Sequence, residues 1–162
     1  MSVKVTGVAE VGDMILRVES EAKKRVVKFL IRKGKEVQEL AILMAPVEHQ
    51  GLEKAIKMTP SEYGGRERDE TGRFTKTEIT VYVDSNSPSL DPERPGETVR
   101  EYAYEMHEHL TPVGELNLGK LSKAKQESSP SGIQVGGAYM TRAGIMVEKK
   151  MDPELAEILA SL

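Results

Sequence analysis

The sequence contains no cysteine and no tryptophan, and aromatic residues make up only 4% of its 162 residues. The absence of cysteine excludes disulfides, thiolate metal sites, iron–sulfur clusters and thiol nucleophiles. With so few aromatic side chains, the hydrophobic core must come from valine, isoleucine, leucine and the eight methionines. Such a core is thin for each residue, which favours a protein that buries further surface against neighbouring subunits.

Long hydrophobic runs and an excess of positive charge are also missing. No apolar stretch approaches the length of about 20 residues that spans a bilayer, and the N-terminus lacks the pattern of a signal peptide. The formal charge is −3 and the isoelectric point about 5.7, so no net basic field attracts nucleic acid. We therefore expect one soluble domain over residues 1–162 that binds no membrane and does not retain DNA non-specifically.

The first part of the chain predicts a short strand and then a long helix. Residues 3–6 alternate between apolar and polar side chains and end at Gly7. Over residues 8–44, apolar side chains recur mostly at spacings of three or four, as on one face of a helix. They are Val11, Met14, Ile15, Val18, Ala22, Val26, Leu30, Val37, Leu40, Ala41 and Met44. Gly34 weakens the middle of this helix by about 1 kcal/mol relative to alanine, and Pro46 ends it.

Three later segments, residues 52–58, 77–83 and 99–110, predict strands from their alternating or β-branched side chains. The polar segment 59–76 is too long for a tight turn, and we interpret it as an extended hairpin arm or as a loop ordered by a neighbour. A second long loop is predicted over 111–134.

The C-terminal part predicts short helices. One helical turn is expected at 120–126, and helical spacing returns over 137–150. Residues that share one face of this second segment are Tyr139, Ala143, Met146 and Val147. Asp152 followed by Pro153 is typical of a helix start, so a separate terminal helix is expected over 154–162.

Together these segments predict an α+β fold. We expect an antiparallel sheet of three to four strands packed by the long N-terminal helix, with extended loops and short C-terminal helices.

His107, Glu108 and His109 form the one cluster that resembles a metal or acid–base site. On a strand, the two imidazoles would share a face and Glu108 would lie opposite. A catalytic zinc site needs a third ligand, and the only other histidine is His49. A polar strand end at a surface is the simpler interpretation, and a small metal-dependent enzyme is the alternative.

Two further features have a possible chemical role. Gly136 and Gly137 lack the following Lys-Ser or Lys-Thr of a phosphate loop, so a tight turn or close packing is favoured over anion binding. Lys120, Lys123 and Lys125 form a small basic patch, for which a solvated face is favoured over a nucleic-acid-binding accessory role. We therefore predict no catalytic residue, no cofactor and no metal site.

Several motifs follow one another over nearly the whole chain. Residues 3–7 are VKVTG, and the long charged helix follows them. The later motifs are APVEHQGLEKAIK at 45–57, YAYEMHE at 102–108, PVG at 112–114 and VGGAYMTRA at 135–143. Their order and spacing resemble the tail-completion, or head–tail joining, family of long-tailed double-stranded DNA bacteriophages, although the arm and the second loop are longer here.

The resemblance implies a structural subunit without enzymatic activity, located at the virion neck and assembled in the host cytoplasm. Such subunits form rings, often hexamers, between the portal-side connector and the tail terminator or tail tube proteins. Genomic DNA passes through the ring without specific binding, and a mildly acidic protein is compatible with this. The residues expected to set turns are Pro46, Gly51, Gly136 and Gly137. The candidates for contacts with neighbours are Arg66, Arg68, Arg73, Phe74, Lys120 and Lys123.

Overall fold

The computed structural model describes residues 8–47, 51–58, 67–68, 74–76, 79–90, 96–100, 103 and 118–161, with the backbone alone at 8–20, 67–68 and 74–76. In chain order, the described elements are α1 (Val8–Met44), α2 (Gly51–Ala55), β1 (Ile56–Met58), β2 (Glu67–Arg68), β3 (Phe74–Lys76), β4 (Val81–Val83), α3 (Lys120–Ser128) and α4 (Tyr139–Ala160). The fold is therefore mixed, with long helices and strands of only two or three residues.

The long helix predicted from the apolar spacing is confirmed as α1, which begins at Val8 and ends at Met44. Pro46 is buried two residues beyond that end. Proline lacks the N–H that would continue the helix, and it disfavours the helical conformation in the residue before it. With 37 residues, α1 follows a path of about 55 Å at about 1.5 Å per residue. It is therefore longer than the diameter of a small domain.

Among the described residues, the strands form two separate antiparallel pairs, and a sheet of three to four strands is not confirmed. β1 pairs with β4, with Ile56 opposite Val83, and β2 pairs with β3. The predicted strand over 52–58 is wrong in its first half, because α2 is helical. Leu52 and Ala55 are both buried, and a spacing of three places two side chains on one face of a helical turn but on opposite faces of a strand.

The strand predicted over 99–110 is wrong where the structure describes that segment. The N–H of Ala103 donates a hydrogen bond of 2.8 Å to the carbonyl oxygen of Val99, which is the bond of an α-helical turn. Both side chains are buried, and a helical turn places residues four apart on the same face. Residues 104–110 lie outside the described residues.

The C-terminal helices also differ from the prediction. The expected turn at 120–126 is observed as α3, but α4 runs unbroken from Tyr139 to Ala160 and contains Pro153. A proline inside a helix costs about 3 kcal/mol, which is why Asp152 and Pro153 predicted a new start. Packing on α1 on both sides of Pro153, by Val147 before it and Glu154 after it, offsets this cost. Met146, predicted on the same face as Val147, is 36% exposed.

α4 packs along α1 in the antiparallel direction. Three hydrogen-bonded pairs define this arrangement: Gly136 with Met44, Glu154 with Lys33, and Ser161 with Arg25. α4 therefore ends level with Arg25, whereas α1 continues towards the N-terminus as far as Val8. Those 17 residues correspond to about 25 Å of helix, at about 1.5 Å per residue.

The hydrophobic core lies between the C-terminal half of α1, α2, β1 and the beginning of α4. Its buried residues are Ala41, Met44, Ala45, Leu52, Ile56, Ala103, Ile133, Tyr139 and Ala143. One of the few aromatic residues, Tyr139, is fully buried at its centre, and burial raises the pKa of its hydroxyl to about 12. The core was expected to be aliphatic, and Tyr139 and Phe29 show that two aromatic rings contribute as well.

Gly34 has a packing role that its helix propensity did not indicate. It is buried in α1, and a Cβ atom at this position would lie 2.6 Å from Ile79 Cγ2 and 2.9 Å from Met58 Sδ. These distances are below normal van der Waals contact, so glycine allows the β1–β4 side of the molecule to approach the backbone of α1.

We expect Gly34→Ala to lower the free energy of unfolding by about 1 kcal/mol. Overpacking against Ile79 costs about 1–3 kcal/mol, and this exceeds the roughly 1 kcal/mol that alanine contributes to an exposed helix. Gly144→Ala in α4 is the control, because a Cβ there meets no atom within 4 Å. Urea unfolding should show a gain of about 0.5–1 kcal/mol for this control. A gain of similar size for both variants would contradict the close contact.

Candidate functional site

Lys33 is a charged residue buried between α1 and α4, with only 3% of its surface exposed. Its Nζ atom lies 2.7 Å from Glu154 Oε1 and 2.9 Å from Glu36 Oε2. The same ammonium lies 5.7 Å from the centre of the Phe29 ring, within the range of a cation–π interaction. The buried charge is therefore paired and hydrogen-bonded, as a charge inside a protein must be.

The pairing shifts the pKa values of both partners. Burial lowers the pKa of Lys33, but the hydrogen bonds to Glu154 and Glu36 and the charges of both carboxylates raise it more, so it lies above the ordinary 10.5. The hydrogen bond from Lys33 lowers the pKa of Glu154 below its ordinary value, with further lowering by the charges of Lys33, Arg32 and Lys150. Both groups are therefore charged at neutral pH.

A row of three cations, Arg25, Lys28 and Arg32, lies on α1 beside this pair. The Nη1 atom of Arg25 donates to the carbonyl oxygen of Ser161 at 3.2 Å and to its Oγ at 3.0 Å. Arg32 Nη2 donates to Glu154 Oε2 at 2.8 Å, and its guanidinium lies 5.6 Å from the Phe29 ring centre. Lys28 is exposed and makes no hydrogen bond or ion pair with a residue that the structure describes.

An open cleft of about 280 Å³ lies along this cation row, between α1 and the end of α4. Phe29 and Ile158 supply apolar lining, and the three cations and Ser161 supply polar lining. The Ser161 hydroxyl donates to the carbonyl oxygen of Ile158 at 2.7 Å and accepts from Arg25, so its hydrogen is engaged by a backbone carbonyl. This arrangement is suited to binding an anionic group next to an apolar one.

A second charged cluster stabilises the C-terminal end of α1. Lys125 of α3 donates through Nζ to the carbonyl oxygens of Ile42 at 2.6 Å and Ala45 at 2.8 Å, and it also pairs with the carboxylate of Glu53. The last carbonyl groups of a helix lack partners within the helix and carry partial negative charge. Lys125 therefore acts as a cap for α1.

Two further contacts hold the chain where it leaves α1. The buried Ser122 hydroxyl accepts a hydrogen bond of 2.8 Å from the Val47 N–H and donates one of 2.9 Å to the Val47 carbonyl. The N–H of Gly136 donates to the Met44 carbonyl at 2.9 Å. Gly136 has a φ of 153°, in a region that favours glycine. The turn at Pro46 is thus held from two sides.

The structure places some of the predicted site residues and leaves others outside its described part. All four predicted turn residues are buried: Pro46, Gly51, Gly136 and Gly137. Two predicted contact residues, Lys120 and Lys123, are exposed on α3. Two more, Arg68 and Phe74, belong to β2 and β3, where the backbone alone is described. The candidates that lie outside the described residues are Arg66, Arg73, His107, Glu108 and His109.

The basic patch suggested by three lysines of α3 is divided in the structure. Lys125 is only 15% exposed and its charge is directed at the end of α1, whereas Lys120 and Lys123 face solvent. A surface for nucleic acid would therefore lack one of the three cations.

The sequence interpretation missed the pairing of Lys33 with Glu154. The apolar stripe of α1 lacks a member between Leu30 and Val37, and Lys33 occupies that position, three residues from one and four from the other. A cation at an apolar position of an amphipathic helix is the signal that indicates a buried ion pair.

Within the ranges that the structure describes, no group of three or more histidine, aspartate or glutamate side chains is arranged to hold a metal ion. None of the helices in the same ranges has the length and apolar character needed to cross a membrane.

We expect Glu154→Gln to lower the melting temperature at neutral pH. We also expect the melting temperature of this variant to fall less steeply than that of the wild type when the pH is lowered. The pKa of Glu154 is lower in the folded than in the unfolded chain. Its contribution to the free energy of unfolding is therefore fully present at a pH above the ordinary pKa of 4.5, and it is lost as the pH falls through the pKa of the folded state. The raised pKa of Lys33 affects stability at alkaline pH instead, because the stabilisation that it provides is lost as the pH rises above 10.5.

Thermal unfolding followed by circular dichroism from neutral to acidic pH measures this effect. Glu157→Gln is the matched control, because Glu157 is exposed on the same helix and has no ion pair with a described residue. Equal melting temperatures for the two variants over the whole range would show that the buried pair does not stabilise the fold.

Lys125→Met is expected to lower the free energy of unfolding by about 2 kcal/mol, because it leaves helix-terminal carbonyls and Glu53 without their charged partner. The control is Lys123→Met on the same helix, where the side chain is exposed and a change below about 0.5 kcal/mol is expected. Chemical unfolding measures both. If Lys125→Met were no more destabilising than the control, the capping role would be wrong.

No protein-family model, curated protein or solved structure matches this chain significantly. The site is therefore defined by its own geometry: a buried ion pair between α1 and α4, a cap at one end of α1, and a basic cleft with an apolar lining.

Proposed function

We propose that this chain is a structural subunit of a ring at the neck of a long-tailed double-stranded DNA bacteriophage, where the head joins the tail. The motifs at 45–57, 102–108 and 135–143 support the proposal through their resemblance to the head–tail joining family.

The observation that carries the proposal is the length of α1 relative to α4. The N-terminal 17 residues of α1 extend past the end of α4 beside Arg25. In that stretch the sequence places Val11, Met14, Ile15 and Val18 on one helical face. An apolar stripe stabilises a helix only when another surface covers it, and α4 does not reach this one. We infer that a neighbouring copy of the chain covers it.

The remaining features are compatible with a ring of such copies. The family implies a hexamer that contacts the portal-side connector and the tail terminator or tail tube proteins. Arg66, Arg68, Arg73 and Phe74 in the segment 59–76, with Lys120 and Lys123 on α3, are the residues proposed to contact neighbours. The net charge of −3 would allow genomic DNA to pass without adhering to the lumen.

The stripe predicts a loss of self-association in Val11→Ser/Ile15→Ser. This double change removes two apolar side chains from the face and leaves the net charge unchanged. Asp13→Ser/Arg17→Ser is the matched control, since these residues lie on the opposite side of the helix by their spacing and their charges cancel. Sedimentation velocity over a concentration series should show oligomers for the wild type and the control, and smaller species for the stripe variant.

The same variants test the role in the virion. Electron microscopy of particles produced without the protein should show filled heads and separate tails. The control variant should restore joined particles, and the stripe variant should not. Intact, infectious particles made in the absence of the protein, or full activity of the stripe variant, would contradict the proposal.

A further inference from the structure

The cleft between α1 and the end of α4 contains positive charge that neither the packing of α4 nor the proposed ring contact uses. We propose that it binds an acidic peptide segment of a partner protein. Carboxylates of the segment would bind the cation row of Arg25, Lys28 and Arg32, and an apolar side chain would pack on the half-buried Ile158. This inference goes beyond the proposed function, because such a segment would be recognised whether or not copies of the chain assemble.

Two of the three cations are held in position before any ligand arrives. Arg25 uses Nη1 to bind Ser161, and Arg32 uses Nη2 to bind Glu154 while its guanidinium lies near the Phe29 ring. A guanidinium has five N–H donors, so each arginine keeps donors for a ligand carboxylate. Binding to ordered side chains loses less conformational entropy than binding to mobile ones.

Lys28 supplies one of the uncompensated charges of the row. It lies between the two arginines along α1, and no carboxylate among the described residues pairs with it, whereas Arg32 is paired with Glu154. Because the Lys28 ammonium is solvated, leaving it unpaired in the free protein costs little free energy. The same charge attracts an anionic partner and stabilises a bound carboxylate.

The spacing of the row matches an extended peptide. Arg25 and Arg32 are two turns apart, which is about 10.5 Å along the helix axis at about 1.5 Å per residue. Three residues of an extended segment cover about 10 Å at about 3.3 Å each. Carboxylates two residues apart in such a segment are therefore separated by about 7 Å, close to the axial separation of about 6 Å between Lys28 and Arg32.

The lining favours a peptide over a nucleic acid. Single-stranded nucleic acids are held by exposed aromatic rings on which bases stack, and Phe29 is only 2% exposed. Glu154, one-third exposed beside Arg32, would repel a continuous row of phosphates. An acidic peptide carries separate carboxylates and can place an aliphatic side chain between them, which suits the apolar part of the cleft.

The test uses the full chain and a fluorescein-labelled peptide in which leucine is flanked by two glutamates on each side. Fluorescence anisotropy at low salt should show saturable binding, weakened by raising the salt to about 0.5 M. Lys28→Glu should weaken binding about tenfold, and Lys28→Gln less, because reversal replaces attraction with repulsion whereas neutralisation only removes the attraction. Lys120→Glu, the same charge change on exposed α3, should alter affinity by less than about twofold.

Peptides with glutamine in place of glutamate, or serine in place of leucine, test the two halves of the recognition, and each should bind more weakly. Circular dichroism confirms that the variants are folded. The proposal is overturned if Lys28→Glu and Lys120→Glu weaken binding equally, if the glutamine peptide binds as well as the acidic one, or if no binding occurs at about 1 mM peptide. It is also overturned if a labelled oligothymidylate binds more tightly and loses affinity in Lys28→Glu, since the cleft would then be a nucleic-acid site.

Discussion

The buried ammonium of Lys33 constrains how α4 can pack on α1. Glu154 reaches both Lys33 and Arg32 in a single register of the two helices. A shift by one helical turn, about 5.4 Å, would move the carboxylate out of reach and leave a buried charge with Glu36 as its remaining acceptor. The ion pair therefore selects the register. The contacts at both ends of α4, near Met44 and near Arg25, follow from it.

This register divides α1 into two parts with different roles. The C-terminal part is the scaffold of the domain, because β1, β4 and α4 pack on it and Lys125 caps its end. The N-terminal part passes beyond α4 with an apolar stripe in its sequence. A helix whose stability is supplied at one end can present its other end to a partner, since the folded part nucleates the helical turns that follow. Ring assembly is proposed to use this second part.

The sequence alone determined α1 and its end. Its bounds follow from apolar residues three or four apart and from Pro46, and both signals act over a few residues of chain. Pro46 and the glycines near that end were predicted to set turns because their backbone preferences are local, and all of them are buried. The secondary structure of short segments is harder to predict from the sequence, because a buried helical turn and a buried strand have similar composition. The segments at 52–58 and 99–110 were predicted to be strands for that reason.

Tertiary structure decided the features that join distant parts of the chain. Lys33 and Glu154 are 121 residues apart and Lys125 and Ala45 are 80 apart, and no local pattern specifies such pairs. The continuation of α4 through Pro153 depends on packing against α1, which outweighs a local preference of about 3 kcal/mol. The cations of the row lie close together along α1 in the sequence, but only the end of α4 makes them one side of a cleft. Local propensity acts within about four residues, whereas burial and charge pairing depend on which surfaces meet in the folded chain.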